Sequence, residues 1–503
     1  MTHTVERSDQ ITDRIGAWLD RRTLLRDLRT RASTDRWLRH LRLIALASLV
    51  VCVLTGVLLL AFYRPSAATV RYDGSYAPLR GVPMSRALDS TLHTSFDVRG
   101  GLLVRQLHNW SASLLIVSLL LQVLRVFFTA SFRGAQRSRW VLLFLVLVIA
   151  MGEGLTGTVL PFDLLSASSL AVLNGILQAM PFVGTDLSAL VFRGQFPGGG
   201  IVVFYVLHVA VLPLTLIGLA AIAFRARRRG IAPNRRTRVT RTPATAVHAI
   251  GILFVVGGVL AAAAAFVTTN PVWALGPADP ENATAGSGAT WYLAFLDGAQ
   301  RLVPSGWEFV WLGRTWTLGL LVPVGVCTLF LALVIAYPFL ETWLLGDLSA
   351  RPVAERSRHT PTHTAIGAAG IAFYGVLWAA AGSDQLAMKL SLSLEDVVHV
   401  LQLALVLAPV AAFMITRRVC LGLQHRDAVT AVHGHETGRL VRLPSGGFRE
   451  VHRPVDAQER RLRLPRTSAN TLVAQPDPVR PDHRHGRIRA GLLRWYDRDD
   501  AQP

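Results

Sequence analysis

Acidic residues are scarce in this chain. Against 52 Lys and Arg there are 32 Asp and Glu, and only 17% of the 503 residues are charged. A soluble protein of that length needs more polar surface. Cysteine is scarcer still: Cys52, Cys327 and Cys420 lie far apart, and none belongs to a C-x-x-C pair. That argues against a disulfide framework and against covalent attachment through paired thiols. What the chain has in excess is apolar sequence, 51% of it, and the mean hydropathy is positive. The apolar residues are also clustered. Leu41–Tyr63, Trp140–Leu160, Ile201–Phe224 and Leu318–Leu340 are each long enough to cross a hydrocarbon layer of roughly 30 Å, which takes about 20 helical residues. A soluble protein with several buried helices does not produce eight such stretches.

The pattern predicts an all-α polytopic membrane protein with eight transmembrane helices, at about 41–63, 102–129, 139–160, 200–224, 246–268, 318–341, 365–382 and 397–416. A formal charge of +20 would suggest nucleic-acid binding in a soluble protein. Here the arginines flank the spans, where basic residues set orientation and meet anionic lipid headgroups, so no nucleic-acid partner is expected. Residues 1–40 are polar and arginine-rich, and the first apolar run is too long for a signal-peptide core. The 130–139 and 225–241 loops and the tail from Arg417 are arginine-rich too, so both termini are expected in the cytoplasm. Between spans, Leu164–Met180, Val183–Phe192 and Trp291–Val303 read as helical pieces too short to cross, suited to lying on the membrane or roofing a cavity. The chain thus divides into a cytoplasmic segment 1–40, a four-helix bundle 41–245, a C-terminal membrane region 246–416 with an amphipathic outer loop 269–317, and a basic, partly disordered cytoplasmic tail 417–503.

A histidine inside a membrane span is costly and calls for a function. His108 in the second span and His208 in the fourth both lie near the outer ends of their helices. Imidazoles from two facing helices make the usual axial pair of a b-type heme. A lone histidine is more often a packing residue, and His399, at the edge of the last span, is left with that role. Arg105, one helical turn from His108, could pair with a heme propionate or simply snorkel to the interface. Gly56 and Gly157, at similar depth in the first and third spans, would let a flat macrocycle or another backbone approach closely.

These stretches resemble cytochrome b of actinobacterial cytochrome bc complexes. The matching motifs are Leu54-Thr55-Gly56, Leu79–Ala87 (LRGVPMSRA), Val98–His108 (VRGGLLVRQLH), Leu160-Pro161, Thr269–Trp273 (TNPVW) and His435–Gly438 (HETG), and the similarity runs from about residue 35 to 455. The resemblance implies two stacked b hemes in the four-helix bundle, a quinol-oxidation site outside and a quinone-reduction site inside. It implies a Rieske iron–sulfur protein and a cytochrome c as partners, a homodimeric complex and a bacterial plasma membrane.

The sequence departs from that family in one half of the bundle. The family's second heme uses histidines about fourteen residues further along the second and fourth spans, a helical rise of roughly 21 Å. Here those positions hold Gln122 and Ala223 (or Ile222), and the matching inner glycine positions hold Arg42 and Leu143. An amide is a poor ligand for heme iron, and alkyl side chains have no donor atom. The expectation is one heme b on the outer side, with axial ligands His108 and His208 and with Arg105, Gly56 and Gly157 around it, and an inner slot filled by side chains. A shifted register with other ligands is the alternative, but neither span carries another histidine.

The family's quinol-oxidation motif, Pro-Glu-Trp-Tyr or a variant with Asp-Phe, is matched here by Ala289, Thr290, Trp291 and Tyr292. Threonine cannot take a proton near neutral pH. Trp291 and Tyr292 could still line a quinol pocket, or serve as interfacial aromatics. Asp297 and Glu308 lie nearby in sequence. Four functions remain open: a quinol–cytochrome c reductase subunit with altered or partial activity, a single-heme cytochrome serving another outer-face redox partner, a non-catalytic anchor or assembly relative, and an unrelated eight-span transporter. The last lacks the broken-helix repeats it should have.

Overall fold

The computed structural model describes residues 31–133, 136–229, 243–278, 290–304, 306–345, 356–456, 459–460 and 463. The first thirty residues, most of the arginine-rich 225–241 loop, Ala289 and the tail beyond 463 lie outside them.

Among the described residues, eight helices are long and apolar enough to cross a membrane: α1 (Trp37–Leu60), α2 (Gly101–Phe128), α3 (Arg137–Val159), α4 (Gly200–Ala223), α5 (Val247–Phe266), α6 (Leu318–Leu344), α7 (Pro361–Ala380) and α8 (Leu394–His433). Their boundaries follow the apolar runs to within a few residues, except in α8. The chain is a helical, multi-pass membrane protein. In the first half, α1 packs along α2, α3 along α4, and α5 against the α1–α2 pair. In the second half, α7 packs along α8, and the short amphipathic helix Ala294–Arg301 lies against α6 and α7.

Connections at the Gly101 end of α2 carry most of the non-spanning structure. A small antiparallel ribbon pairs β1 (Thr69–Arg71) with β2 (Pro83–Ser85) and leads into the helix Arg86–Phe96, whose first turn is capped by the Ser85 hydroxyl accepting from Leu88 N at 3.1 Å. The turn into α2 uses both glycines of Val98-Arg99-Gly100-Gly101. Gly100 has φ +78, and a Cβ on Gly101 would collide with the Thr94 carbonyl. The helices Leu164–Ala179 and Gly184–Phe192 occupy the α3–α4 connection as expected. Unexpected in the sequence is an aromatic hairpin, β3 (Glu308–Trp311) with β4 (Arg314–Thr317), immediately before α6.

α4 is not a uniform helix. Residues 207–211 form a π-turn in which Leu212 N reaches back five residues to the Leu207 carbonyl. Pro213 has no N–H, and its ring would press on a carbonyl of the preceding turn; the widened turn accommodates it. His208 sits in this turn.

The tail differs from expectation. α8 does not end near 416 but runs to His433, with Cys420, Asp427 and Ala431 buried along one side. Asp427 is ion-paired with Arg358 and Arg463, at 2.9 and 3.0 Å, which ties the extension to the rest of the chain. Gly434, at φ +89, ends the helix, and a hairpin of β5 (His435–Arg442) and β6 (Phe448–Arg453) follows. At the same end of the molecule the α2–α3 turn is locked to the second half. Arg133 forks onto Glu341 (3.0 and 2.7 Å), and His363 lies between Glu341, the Tyr337 hydroxyl and the Phe127 carbonyl.

Candidate heme site

The structure brings His108 and His208 face to face across the bundle. Their ring centres are 6.1 Å apart and the rings are inclined by 78°. A metal held from both sides by bonds of roughly 2 Å would put two imidazole centres about 6 Å apart.

Each ring is held in the same way. His108 Nδ1 lies 3.0 Å from the Cys52 carbonyl and 3.1 Å from Thr55 Oγ1. His208 Nδ1 lies 3.1 Å from the Glu153 carbonyl and 3.2 Å from Thr156 Oγ1. Each threonine hydroxyl donates to the same carbonyl that faces the ring. Acceptors on Nδ1 fix the proton there and leave Nε2 with the lone pair that binds metal. The glycine following each threonine completes the seat. A Cβ on Gly56 would stand 3.2 Å from His108 Cε1, and one on Gly157 2.6 Å from His208 Cε1. The bundle thus repeats one device twice: Leu54-Thr55-Gly56 on α1 seats His108, and Leu155-Thr156-Gly157 on α3 seats His208. Both glycines, and Thr55 as part of the Leu54-Thr55-Gly56 motif, were visible in the sequence, but neither threonine was given a role there, although the tripeptide is repeated at Leu155-Thr156-Gly157.

Arg105 is buried on α2 beside this pair. Its Nη2 donates to the Asn270 carbonyl at 2.7 Å, and the guanidinium lies over the Trp273 ring at 5.8 Å. Arg105 Nη1 is buried with no hydrogen-bond partner. An unpaired buried guanidinium nitrogen is costly, and an anionic group would satisfy it. Gln106 also meets the Thr269–Trp273 segment: its Nε2 donates to the Thr269 carbonyl (3.0 Å), and its Oε1 accepts from Thr269 N (2.8 Å) and Oγ1 (3.0 Å). Asp163, fully buried at the cap of Leu164–Ala179, has its carboxyl pushed up by burial against the hydrogen bonds from Ser166.

The other expected residues are placed as follows. Gln122 is buried on α2, and its Nε2 donates to helix carbonyls, Ser118 at 3.2 Å and Leu41 at 3.5 Å. Around it Leu115, Leu119, Val123, Phe144, Leu147 and Leu216 form one apolar cluster, with Leu143 packed against it. His399 is exposed on α8, so the packing role given to it does not hold. Tyr292 is buried with its hydroxyl against Gly154, and its ring is 5.5 Å from that of Trp291. Burial pushes the Tyr292 phenol up to about 12. Asp297 is committed to Arg301 at 3.1 Å, and Glu308 is exposed on β3. The acid nearest the pair is one that sequence analysis did not single out, Glu153, with Oε1 3.2 Å from His208 Nδ1.

Residues 113–277 match the family model described as cytochrome b(N-terminal)/b6/petB. The chain is 38% identical over 461 residues to the cytochrome bc1 complex cytochrome b subunit of Streptomyces coelicolor, covering 89% of this chain and 84% of that one. It is 40% identical to the Mycobacterium bovis subunit of the same name, over 82% and 77%. The chain belongs to the cytochrome b subunit family of cytochrome bc1 complexes. A solved chain of a "Hyperthermophilic respiratory Complex III" shares the fold, with TM-score 0.54 and 16% identity over 81% of this chain and 99% of that one. Cytochrome b membership implies heme b, and the paired imidazoles, the glycine seats and the orphaned Arg105 nitrogen all fit such a group.

Proposed function

We propose that this chain is the cytochrome b-type subunit of a quinol–cytochrome c oxidoreductase that carries one b heme, held by His108 and His208 at the outer end of the bundle. The facing imidazoles, each with Nδ1 committed to a carbonyl, support the reading most directly. The heme supplies one-electron exchange when bound. The chain's own residues then do three things. Thr55 and Thr156 would orient the His108 and His208 rings, Gly56 and Gly157 would leave room for a flat group beside them, and Arg105 would neutralise an acidic group on it. The arginine-rich loops support an orientation with the opposite end of the bundle, and both termini, in the cytoplasm of a bacterial plasma membrane.

In the half of the bundle around Gln122, the packed leucines and the lack of a second histidine on α2 and α4 support a slot without heme. A quinone cycle that moves one electron across the membrane needs a carrier in each half, and these residues furnish a ligand pair for one. Trp291 and Tyr292 are assigned to an apolar quinol pocket, with Thr290 leaving it short of the family's proton acceptor. A Rieske iron–sulfur protein and a cytochrome c are the expected partners, in a homodimeric complex. The Thr290 position favours a second reading, a single-heme cytochrome serving another outer-face redox partner.

A pyridine-hemochrome assay on the purified chain tests the proposal. One heme b per chain is expected. Two would overturn the single-heme reading, and none would favour an anchor or assembly relative. Quinol-dependent cytochrome reduction, measured with and without a quinol-site inhibitor, then separates a quinol oxidoreductase from a cytochrome with another electron donor.

A further inference from the structure

Among the described residues outside the heme site, a cluster of metal-ligating side chains stands at the Gly101 end of the bundle. Asp89 and His93 are one turn apart on the helix Arg86–Phe96, and Asp73 reaches them from the end of β1. His93 Nε2 lies 3.1 Å from Asp73 Oδ1 and 3.5 Å from Asp89 Oδ1. The other ring nitrogen is already claimed, since Nδ1 is 2.5 Å from Asp97 Oδ2. Asp97 is itself anchored, its Oδ1 accepting from Ser75 N at 3.1 Å.

We propose that Asp73, Asp89 and His93 form a binding site for a divalent transition metal, with zinc as the fitting ion and water in the fourth position. Three features carry this. First, a carboxylate on Nδ1 fixes the proton there and directs the Nε2 lone pair outward, the carboxylate–histidine–metal arrangement found behind many zinc ligands. In that tautomer Nε2 faces two carboxylates with no proton to share, an arrangement a cation would turn from repulsion into ligation. Second, ligand atoms around a tetrahedral zinc with bonds of roughly 2 Å are separated by roughly 3.3 Å, and the two nitrogen–oxygen separations here bracket that value. Third, the ligand types, one imidazole and two carboxylates, suit zinc better than magnesium or calcium, which prefer oxygen throughout.

The surroundings agree. Arg71 and Arg80 donate to the backbone carbonyls of Gly81 and Gly74, and Arg86 offsets part of the charge on Asp89. The Asp73 side chain is largely exposed, which gives an ion a way in from solvent. A bound ion would fasten the β1–β2 ribbon to the helix that leads into α2, and so brace the cap over the His108 end of the bundle.

The test is metal content of the full chain in detergent. The protein is equilibrated at buffered micromolar free zinc and separated from unbound metal by gel filtration, and zinc is measured per chain by mass spectrometry. One zinc per chain is expected. His93→Ala and Asp89→Asn should each lower the affinity at least tenfold while the heme spectrum and elution volume stay unchanged. Asp73→Asn, at an exposed position, provides a third variant whose folding is not in doubt, and it should also weaken binding. X-ray absorption at the zinc edge should report one nitrogen among oxygen ligands. No saturable zinc in the wild type, or zinc retained undiminished by all three variants, overturns the proposal. Under that outcome His93 serves only to hold Asp73, Asp89 and Asp97 together by hydrogen bonding.

Discussion

Gly157 on α3 and His208 on α4 are in contact so close that the glycine cannot carry a side chain: a Cβ would lie 2.6 Å from the imidazole Cε1. The equivalent contact between Gly56 and His108 is looser, at 3.2 Å. Gly157→Ala must therefore push the His208 ring off its seat or part α3 from α4. Overpacking of this kind costs about 1–3 kcal/mol, or roughly 5- to 150-fold in heme affinity. Gly56→Ala can be absorbed by a shift of a few tenths of an ångström and should lose less. Heme per chain by pyridine hemochrome, read at equal protein, checks the order. Equal loss in the two variants would mean that the glycines do not act through these rings.

His108→Ala is expected to abolish the heme spectrum, and Gln122→Leu to leave heme per chain unchanged. The Gln122 amide bonds only to helix carbonyls, and a leucine of similar volume extends the surrounding apolar cluster, so the stability cost should stay within about 1.5 kcal/mol. Gln122→His should not by itself create a second heme, because Leu143 and its neighbours still fill the opposite wall. A second set of b-type bands in that variant would show that the slot opens readily.

Much of this was legible in the sequence, for identifiable reasons. Length and hydropathy determine a membrane span almost alone, so α1 to α7 were found within a few residues. The histidine pair was found because a polar side chain in hydrocarbon needs a reason. α8 was cut short because polarity, the cue used to end it, marks where a helix leaves the membrane and not where it stops. Its real terminator is Gly434, at φ +89. The π-turn at His208 was missed because Pro213 reads as an ordinary proline in a membrane helix until the carbonyls are followed. Asp297, near the quinol motif in sequence, is tied to Arg301, a pairing across one helical turn that the spacing already allowed.

Gly154 and Tyr292 give a separate handle on quinol chemistry. The phenol sits where a Gly154 side chain would be. Gly154→Val should displace Tyr292 and the adjoining Trp291, whose carbonyl accepts from Trp378 Nε1 at 3.0 Å. Quinol-dependent reduction should fall at least tenfold, as expected when groups that position a substrate move by about an ångström. Chemical reduction by dithionite should still give a full heme spectrum. Unchanged quinol-dependent rates would remove Tyr292 from the pocket.

The Arg133–Glu341–His363 network allows a prediction about stability with no bearing on heme ligation. All three side chains are nearly inaccessible, and the Glu341 carboxylate takes both arms of the Arg133 guanidinium while facing His363. The His363 ring also stacks on Phe127 at 4.5 Å. Arg133→Ala would leave a carboxylate without its main partner in a low-dielectric interior, a loss of about 3–5 kcal/mol in comparable buried pairs. Replacing the pair together, as Arg133→Met with Glu341→Leu, removes both charges and should recover most of that loss. Thermal unfolding in detergent reads the effect, with the heme spectrum below the transition serving as the control. If the double variant is as unstable as Arg133→Ala, the network is not a charge pair buried at its own expense, and the lock between the two halves of the molecule must come from the aromatic packing of Phe127, Phe132 and Tyr337 around His363.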